Sequence, residues 1–486
     1  MRIYLLSLVV LFLVIYSWKD WYKSLCGLIV MMAIVERPDM PRTILGIPGL
    51  NPWNILFASI LLAFLAARKR EGLKWDMPRH IKIYLYIYLL VVLAAFAREF
   101  VDLDGMVSFA NFMGVEPTTR QSLFFDDVIN TIKYAVPGIL LYIGCNSEKR
   151  LKLAYGAVLL LNILLAIQII KWMPLSEIAN GDVLKRRAIR ILDREIGYYR
   201  TDLAVMLAGA SWAIYAFREV LTGIMPRLIA LGGSMIAVLG MVLTGGRMGM
   251  ASWAVVAFLM AVFRWRKFLI LAPVAIILIG LAIPSVMERL TQGFSEDTVE
   301  QRSVDLMGDI SSAKGVDLYT ITAGRTSIWP FVVDKIGDAP YLGHGRRAMQ
   351  RLGLSEFLAA TFHEAFPHPH NAYLQLLLDN GWLLSLPIFM FYLLILSYSL
   401  SLFRDRSNIL YVAVGGGTFA FVLAQLSGSI GAQSFYPSEG TVSMWCMMGL
   451  MLRVYVQRKR MQIPKPAEKS VEEGQLRTLW ERPAIQ

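Results

Sequence analysis

The feature that most constrains this chain is the recurrence of apolar runs long enough to cross a bilayer. They fall at 3–17, 22–36, 53–67, 81–97, 128–145, 152–170, 201–217, 227–243, 248–263, 268–284, 382–403, 409–430 and 440–456. A helix of about 20 apolar residues spans the ~30 Å hydrocarbon core. The expected fold class is all-α: a polytopic integral membrane protein with about 12–13 transmembrane helices. The first two runs are short, so twelve crossings fit as well as thirteen. The opening run "IYLLSLVVLFLVIY" lacks a small-x-small cleavage site and is followed at once by another apolar run, so it reads as a retained span rather than a secretory signal. Cys26, Cys145 and Cys446 lie in or beside separate runs, without metal-type or disulfide-type spacing.

Orientation follows from basic residues in short loops, which stay cytoplasmic. "ARKREGLK" (67–74), "SEKRLK" (147–152), "RWRK" (264–267), "RDR" (404–406) and "QRKR" (457–460) agree on one side. The opposite side then holds 98–127, where the acidic residues outnumber Arg98 and Arg120, and the long segment 285–381. The expected organisation is an N-terminal membrane part, 1–284, with extracytoplasmic loops 98–127 and 171–200. A helical extracytoplasmic segment follows at 285–381, then C-terminal spans at 382–456 and a disordered cytoplasmic tail at 457–486. The net charge of +12 is accounted for by the cytoplasmic loops and tail, so it does not imply a nucleic-acid partner.

Three places break the pattern. "KWMPLSEIANGDVLKRRAIRILDREIGYYR" (171–200) is basic on the side that normally avoids basic residues, which suggests an anionic ligand; a loop translocated with its charges is the plain alternative. In "MVLTGGRMGMASW" (241–253) two spans meet across Thr244, Gly245, Gly246 and Arg247, so the guanidinium stands at the membrane boundary. An arginine inside the hydrocarbon costs on the order of 3 kcal/mol or more, and it either snorkels or faces a partner or watery cavity. In "TAGRTSIWPFVVDKIGDAPYLGHG" (322–345), Arg325, Ile328, Trp329 and Val332 have helical spacing, and the GHG before Arg346 and Arg347 reads as a turn.

Four of the five histidines, His344, His363, His368 and His370, follow or fall within the end of this last stretch. "HPHNAYLQLLLDNG" (368–381) continues into a short helix, 372–379, which Asn380-Gly381 terminates. Three readings are open for the imidazoles. His363, Glu364, His368 and His370 are all metal-ligand types, but H-E-x-x-x-H is one residue longer than the two-histidine helical motif, and Pro367 and Pro369 break such a helix. A pair of structural histidines capping the helix is the second. The third is a general base, since imidazole abstracts protons near neutral pH.

The residues also carry a resemblance. "HPHNAYLQLLLDNGWLLSLPIF" resembles the H-N-x-x-L-x-x-x-x-x-x-G signature of the bacterial O-antigen ligase and polymerase superfamily. "TGGRMGM" resembles its S-R-G-type element, and "GRTSIW…PYLGHG" its R-x-x-x-W…P-x-x-G-x-G stretch. "IGYYRTDLA" (196–204) stands where a G-x-x-x-N-x-x-A element is usual. The similarity runs from about 185 to 400 in the family's order. It implies a C-type glycosyltransferase-like fold and a donor glycan on undecaprenyl diphosphate. The glycan passes with inversion, without metal or other cofactor, to a hydroxyl of a glycan, lipid A core or protein acceptor at the periplasmic face of the inner membrane. By position, His370 matches the signature histidine and would be the base, with His368 and Asn371 beside it at the substrate. Arg247 and Arg325 match the signature arginines, and Arg187 or Arg190 the loop arginine. Asp202 stands near the usual Asn, and Gly246 replaces the usual Ser, which bears on acceptor contacts more than on the chemistry. A polytopic transporter or lipid-linked glycan flippase is the alternative, although no internal repeat is evident.

Overall fold

A computed structural model describes residues 2–37, 40, 41, 43, 44, 47–177, 181–271, 273, 312, 313, 316, 317, 325–431 and 435–462. The protein is an all-α polytopic membrane protein. The helices are α1 (Arg2–Ser17), α2 (Trp21–Val35), α3 (Pro52–Arg68), α4 (Arg79–Glu99), α5 (Asp104–Met113), α6 (Arg120–Leu123), α7 (Asn130–Gly144), α8 (Glu148–Trp172) and α9 (Gly181–Ile196). They continue with α10 (Arg200–Phe217), α11 (Ile224–Leu243), α12 (Arg247–Phe263), α13 (Arg325–Asp338), α14 (Ala348–Arg351), α15 (Leu354–Phe362), α16 (Ala372–Arg404), α17 (Ile409–Gly428) and α18 (Val442–Gln462). Among the described residues six helices are long and apolar enough to cross a membrane, and α1, α2, α3 and α12 are shorter apolar ones. Every apolar run of the sequence except 268–284 coincides with a helix; most of that run, like 285–311, lies outside the described residues.

The core forms around α10 and α17, which pack on each other and on α11, α12 and α16. Small residues permit this closeness, as expected where lipid supplies no hydrophobic drive between helices. A Cβ on Gly415 would strike the Phe403 backbone, and one on Gly417 the Tyr155 hydroxyl. That hydroxyl donates to Ala413 O (2.9 Å), tying α8 to α17. Outer faces remain apolar, as in Leu5, Leu8 and Phe12 of α1 and Leu228 and Met235 of α11, which suits lipid contact.

The 171–200 segment is not a plain loop: α9 occupies 181–196, with Leu184, Ala188 and Leu192 buried. The 372–404 region is two helices meeting at a kink at Gly381, whose φ of 67° and ψ of 179° are not helical. A break leaves unpaired backbone groups on both sides, which must be satisfied at a membrane boundary. The Pro340–Gly345 segment does this. Trp382 N–H donates to Pro340 O (2.7 Å) and Leu383 N–H to Tyr341 O (3.1 Å), while Leu378 O and Asp379 O accept from His344 N–H (2.9 Å) and Gly345 N–H (2.7 Å). The approach requires glycine on both sides: a Cβ on Gly343 would meet Asn380 N, and one on Gly381 the Tyr341 backbone. The "PYLGHG" and "DNG" motifs are thus two halves of one joint.

Candidate active site at the histidine loop

The site is built outward from the start of α16. Asn371 is its N-cap, the side-chain oxygen accepting from Tyr373 N–H (3.0 Å) and Leu374 N–H (3.2 Å). Of the readings left open by the sequence, capping by histidine is therefore replaced by capping by asparagine. Ala372 N–H donates to Ser429 O (2.8 Å), fixing the helix start against the end of α17.

Directly before the cap, His370 has φ +52°, a left-handed conformation that costs a non-glycine residue on the order of 1–2 kcal/mol. Neighbours hold it there. The Trp329 indole donates to Pro369 O (3.1 Å), and His370 N–H donates to Nδ1 of His368 (3.3 Å). The two imidazoles lie 4.1 Å apart between centroids at 61°. Burial, then the Arg325 guanidinium, pushes His370 down to about 4. Burial, then His370, Arg346 and Arg325, puts His368 well below the ordinary imidazole value. Burial and the neighbouring cations thus favour the neutral form of both rings, the form that accepts a proton. Among the described residues no group of three or more His, Cys, Asp or Glu is arranged to hold a metal ion.

Arg325 opens α13 beside these rings and donates from Nη1 to Gly431 O (2.8 Å). Burial lowers its pKa and Glu364 opposes that shift, yet an arginine stays charged. Gly431 is also where Arg247 comes in. A Cβ on Gly431 would strike the Met248 side chain and lie 3.1 Å from Arg325 Nη1. The first turn of α12, which begins at Arg247, and the guanidinium of Arg325 therefore flank one glycine. The turn before α12 relies on Gly245, with φ +66°, and Arg200 donates to its carbonyl (3.3 Å). The structure thus gathers His368, His370, Asn371, Arg325 and the Arg247 turn. Arg187 and Arg190 are exposed on α9, a helix that packs on α8 and α10.

Beside the histidine loop is a second cluster that the sequence reading passed over. Asp379, fully buried, accepts from Gln375 Nε2 (2.6 Å) and the Tyr436 hydroxyl (3.0 Å), with Arg346 at ion-pair distance (3.6 Å). The Arg346 guanidinium lies 4.1 Å over the Tyr436 ring. Arg347 pairs with Glu99 (2.8 Å) and Asp127 (2.8 Å), the latter presented by a π-helical turn, Phe124–Ile129. Arg98 donates to Leu342 O (2.7 Å), Gly343 O (3.0 Å) and Asp379 O (3.1 Å), clamping the joint itself. The signal was present in "LLLDNG": an aspartate inside an apolar helix needs a named partner. On the far side of the 435–439 segment, Glu439 faces Asp202 and Glu36; burial, then those carboxylates, pushes it up to about 8.

Residues 232–389 match the family model described as O-antigen ligase. This stretch, about a third of the chain, is similar to the O-antigen ligase family. A curated relative, the general O-oligosaccharyltransferase of Acinetobacter baylyi, is 32% identical over 106 residues, covering 22% of this chain and 17% of the relative. The ligase domain as matched contains Arg247, Arg325, His368, His370 and Asn371. It leaves out Arg187, Arg190 and Asp202, along with Gly431 and Glu439.

Proposed function

We propose that the protein transfers a glycan from an undecaprenyl-diphosphate-linked donor to an acceptor hydroxyl, working at the extracytoplasmic face of the bacterial inner membrane. The acceptor is a sugar of a growing glycan, a lipid A core or a protein. One observation carries this reading: a neutral imidazole and an arginine are held together at the membrane edge, inside the stretch matched to the O-antigen ligase family. In the proposed reaction the acceptor O–H proton passes to His370 as the acceptor oxygen bonds to the anomeric carbon. The bond from that carbon to the diphosphate oxygen breaks, and its electron pair leaves on the diphosphate. Inversion follows from attack opposite the leaving group.

The electrostatics support this division of roles. Negative charge grows on the leaving diphosphate, and arginine forks stabilise it without titrating, which suits Arg325 and Arg247. A base near 4 is weak, but the donor's diphosphate offsets the Arg325 field that depresses His370, so donor binding raises the base toward the working pH. Arg187 and Arg190 would meet the donor only if α9 bears on the same cavity. The extracytoplasmic side rests on the basic loops, which place the described helices of 325–381 on it as well.

The test is purified protein in liposomes with lipid-linked oligosaccharide and acceptor, in chelator. Joined product with release of undecaprenyl diphosphate is expected. Movement of the donor across the bilayer without joined product would replace the transferase with a flippase.

A further inference from the structure

A groove of about 550 Å³ lies between the start of α3 and the α6–α7 region, which the basic loops orient to the extracytoplasmic side. That volume is in the range of small-molecule sites, about 300–1,000 Å³. Its wall carries Lys133, which is 6% exposed. The ammonium rests over the rings of Trp53 (5.4 Å) and Tyr134 (5.0 Å), and among the described residues no carboxylate reaches it at ion-pair distance. Burying an ammonium is costly unless it is hydrogen-bonded, so among the described residues the groove holds a donor in want of an acceptor.

The lining says what kind of acceptor. Glu36 and Asp126 stand against Arg37 and Lys133 in the same groove, so the formal charges cancel and an anion is not favoured. Asn130 lines it as an amide, and the wall also holds the indole N–H of Trp53 and the Asn54 Oδ1, both buried without partners among the described residues. Donors and acceptors of this mixed kind, beside aromatic rings, match hydroxyl groups on a ring, because a hydroxyl both donates and accepts. Two connections lead toward the paired cluster beside the histidine loop. Lys133 lies near the Glu439 side chain, at the end of the 435–439 segment, and Asp126 adjoins Asp127, which binds Arg347.

We propose that this groove is the acceptor subsite, holding non-reacting sugar residues of a neutral oligosaccharide, with Lys133 and Asn130 bonding to ring hydroxyls. It rests on the transferase reading for the word acceptor, but the groove's ligand class stands on its own lining. Lys133 and Asn130 are binding residues that take no part in bond breaking.

The test uses the full chain in nanodiscs. The probe is the neutral oligosaccharide released by mild acid from the producing cell's own surface glycan, with binding read by saturation-transfer NMR and transfer by acceptor KM. Wild type is expected to bind the probe. Lys133→Met should weaken binding at least tenfold and Asn130→Ala three- to tenfold, with donor affinity and melting temperature held as controls. Asn130 is half-buried at a helix start, so its variant remains informative if Lys133→Met does not fold. Probe binding without transfer would leave the groove standing and remove the transferase reading. Transfer with an unchanged acceptor KM in both variants would overturn the groove. So would no probe binding by wild type, or binding only of a carboxylated oligosaccharide.

Discussion

A group of arginines, Arg98, Arg346 and Arg347, and a single one, Arg325, at the end of the membrane helices are satisfied in opposite ways. Arg346 and Arg347 meet the carboxylates of Asp379, Glu99 and Asp127, and Arg98 spends its donors on three carbonyls of the joint. Arg325 has one bond, to Gly431 O, among the described residues, and its nearest named carboxylate, Glu364, is exposed. A cation already matched by buried anions has little left for a substrate, and removing it strands a buried charge. A cation held by one carbonyl keeps most of its fork for an incoming diphosphate. The paired group builds the frame, and Arg325 is the cation proposed to meet the donor diphosphate.

The largest effect that would sharpen this contrast is on the underpaired side. His370→Ala should lower transfer about 10²- to 10⁴-fold while donor binding is retained, measured by single-turnover assay in proteoliposomes. On the paired side, Asp379→Ala should destabilise the fold by about 3–5 kcal/mol, because Arg346 is left buried without its anion. Loss of thermal stability beyond that of a surface control is the readout, and an unchanged melting temperature would break the distinction. A smaller effect is a shift in pH dependence. His370 must be neutral to take a proton, so the acid limb of kcat/KM should lie near 4 in the free enzyme rather than near 6.5. Arg325→Gln should move it upward but not to 6.5, since burial is the larger cause. The smallest is Asn371→Ala, which removes two cap bonds and should cost about 1 kcal/mol of stability.

The membrane helices were legible because an apolar run of bilayer length has one solution in lipid. The stop at Asn380-Gly381 was legible too, as was the turn at Thr244–Gly246, since glycine at positive φ marks both. The partners were not. Nothing local in "LLLDNG" says that Asp379 meets Tyr436 and Arg346, and nothing in "GHGRR" says that Arg347 reaches Glu99 and Asp127, because these are contacts between distant spans. The helix α9 was hidden by reading its charges rather than the periodicity of Leu184, Ala188 and Leu192. Imidazole composition suggested three roles for the histidines, and only the backbone, with Asn371 taking the cap, separated capping from the others.

The most direct measurement of the frame-and-chemistry division is transfer per folded molecule for Arg325→Gln and Arg346→Gln, side by side. Folded protein is counted by size-exclusion profile, and melting temperature is recorded on the same samples. Arg325→Gln should keep its melting temperature and lose transfer by about 10- to 10³-fold, the range for removing one stabiliser of developing charge. Arg346→Gln should melt lower, while the molecules that remain folded transfer at close to the wild-type rate. The reverse pattern, with Arg325→Gln active and Arg346→Gln stable but inactive, would place the diphosphate at the paired cluster and contradict the account.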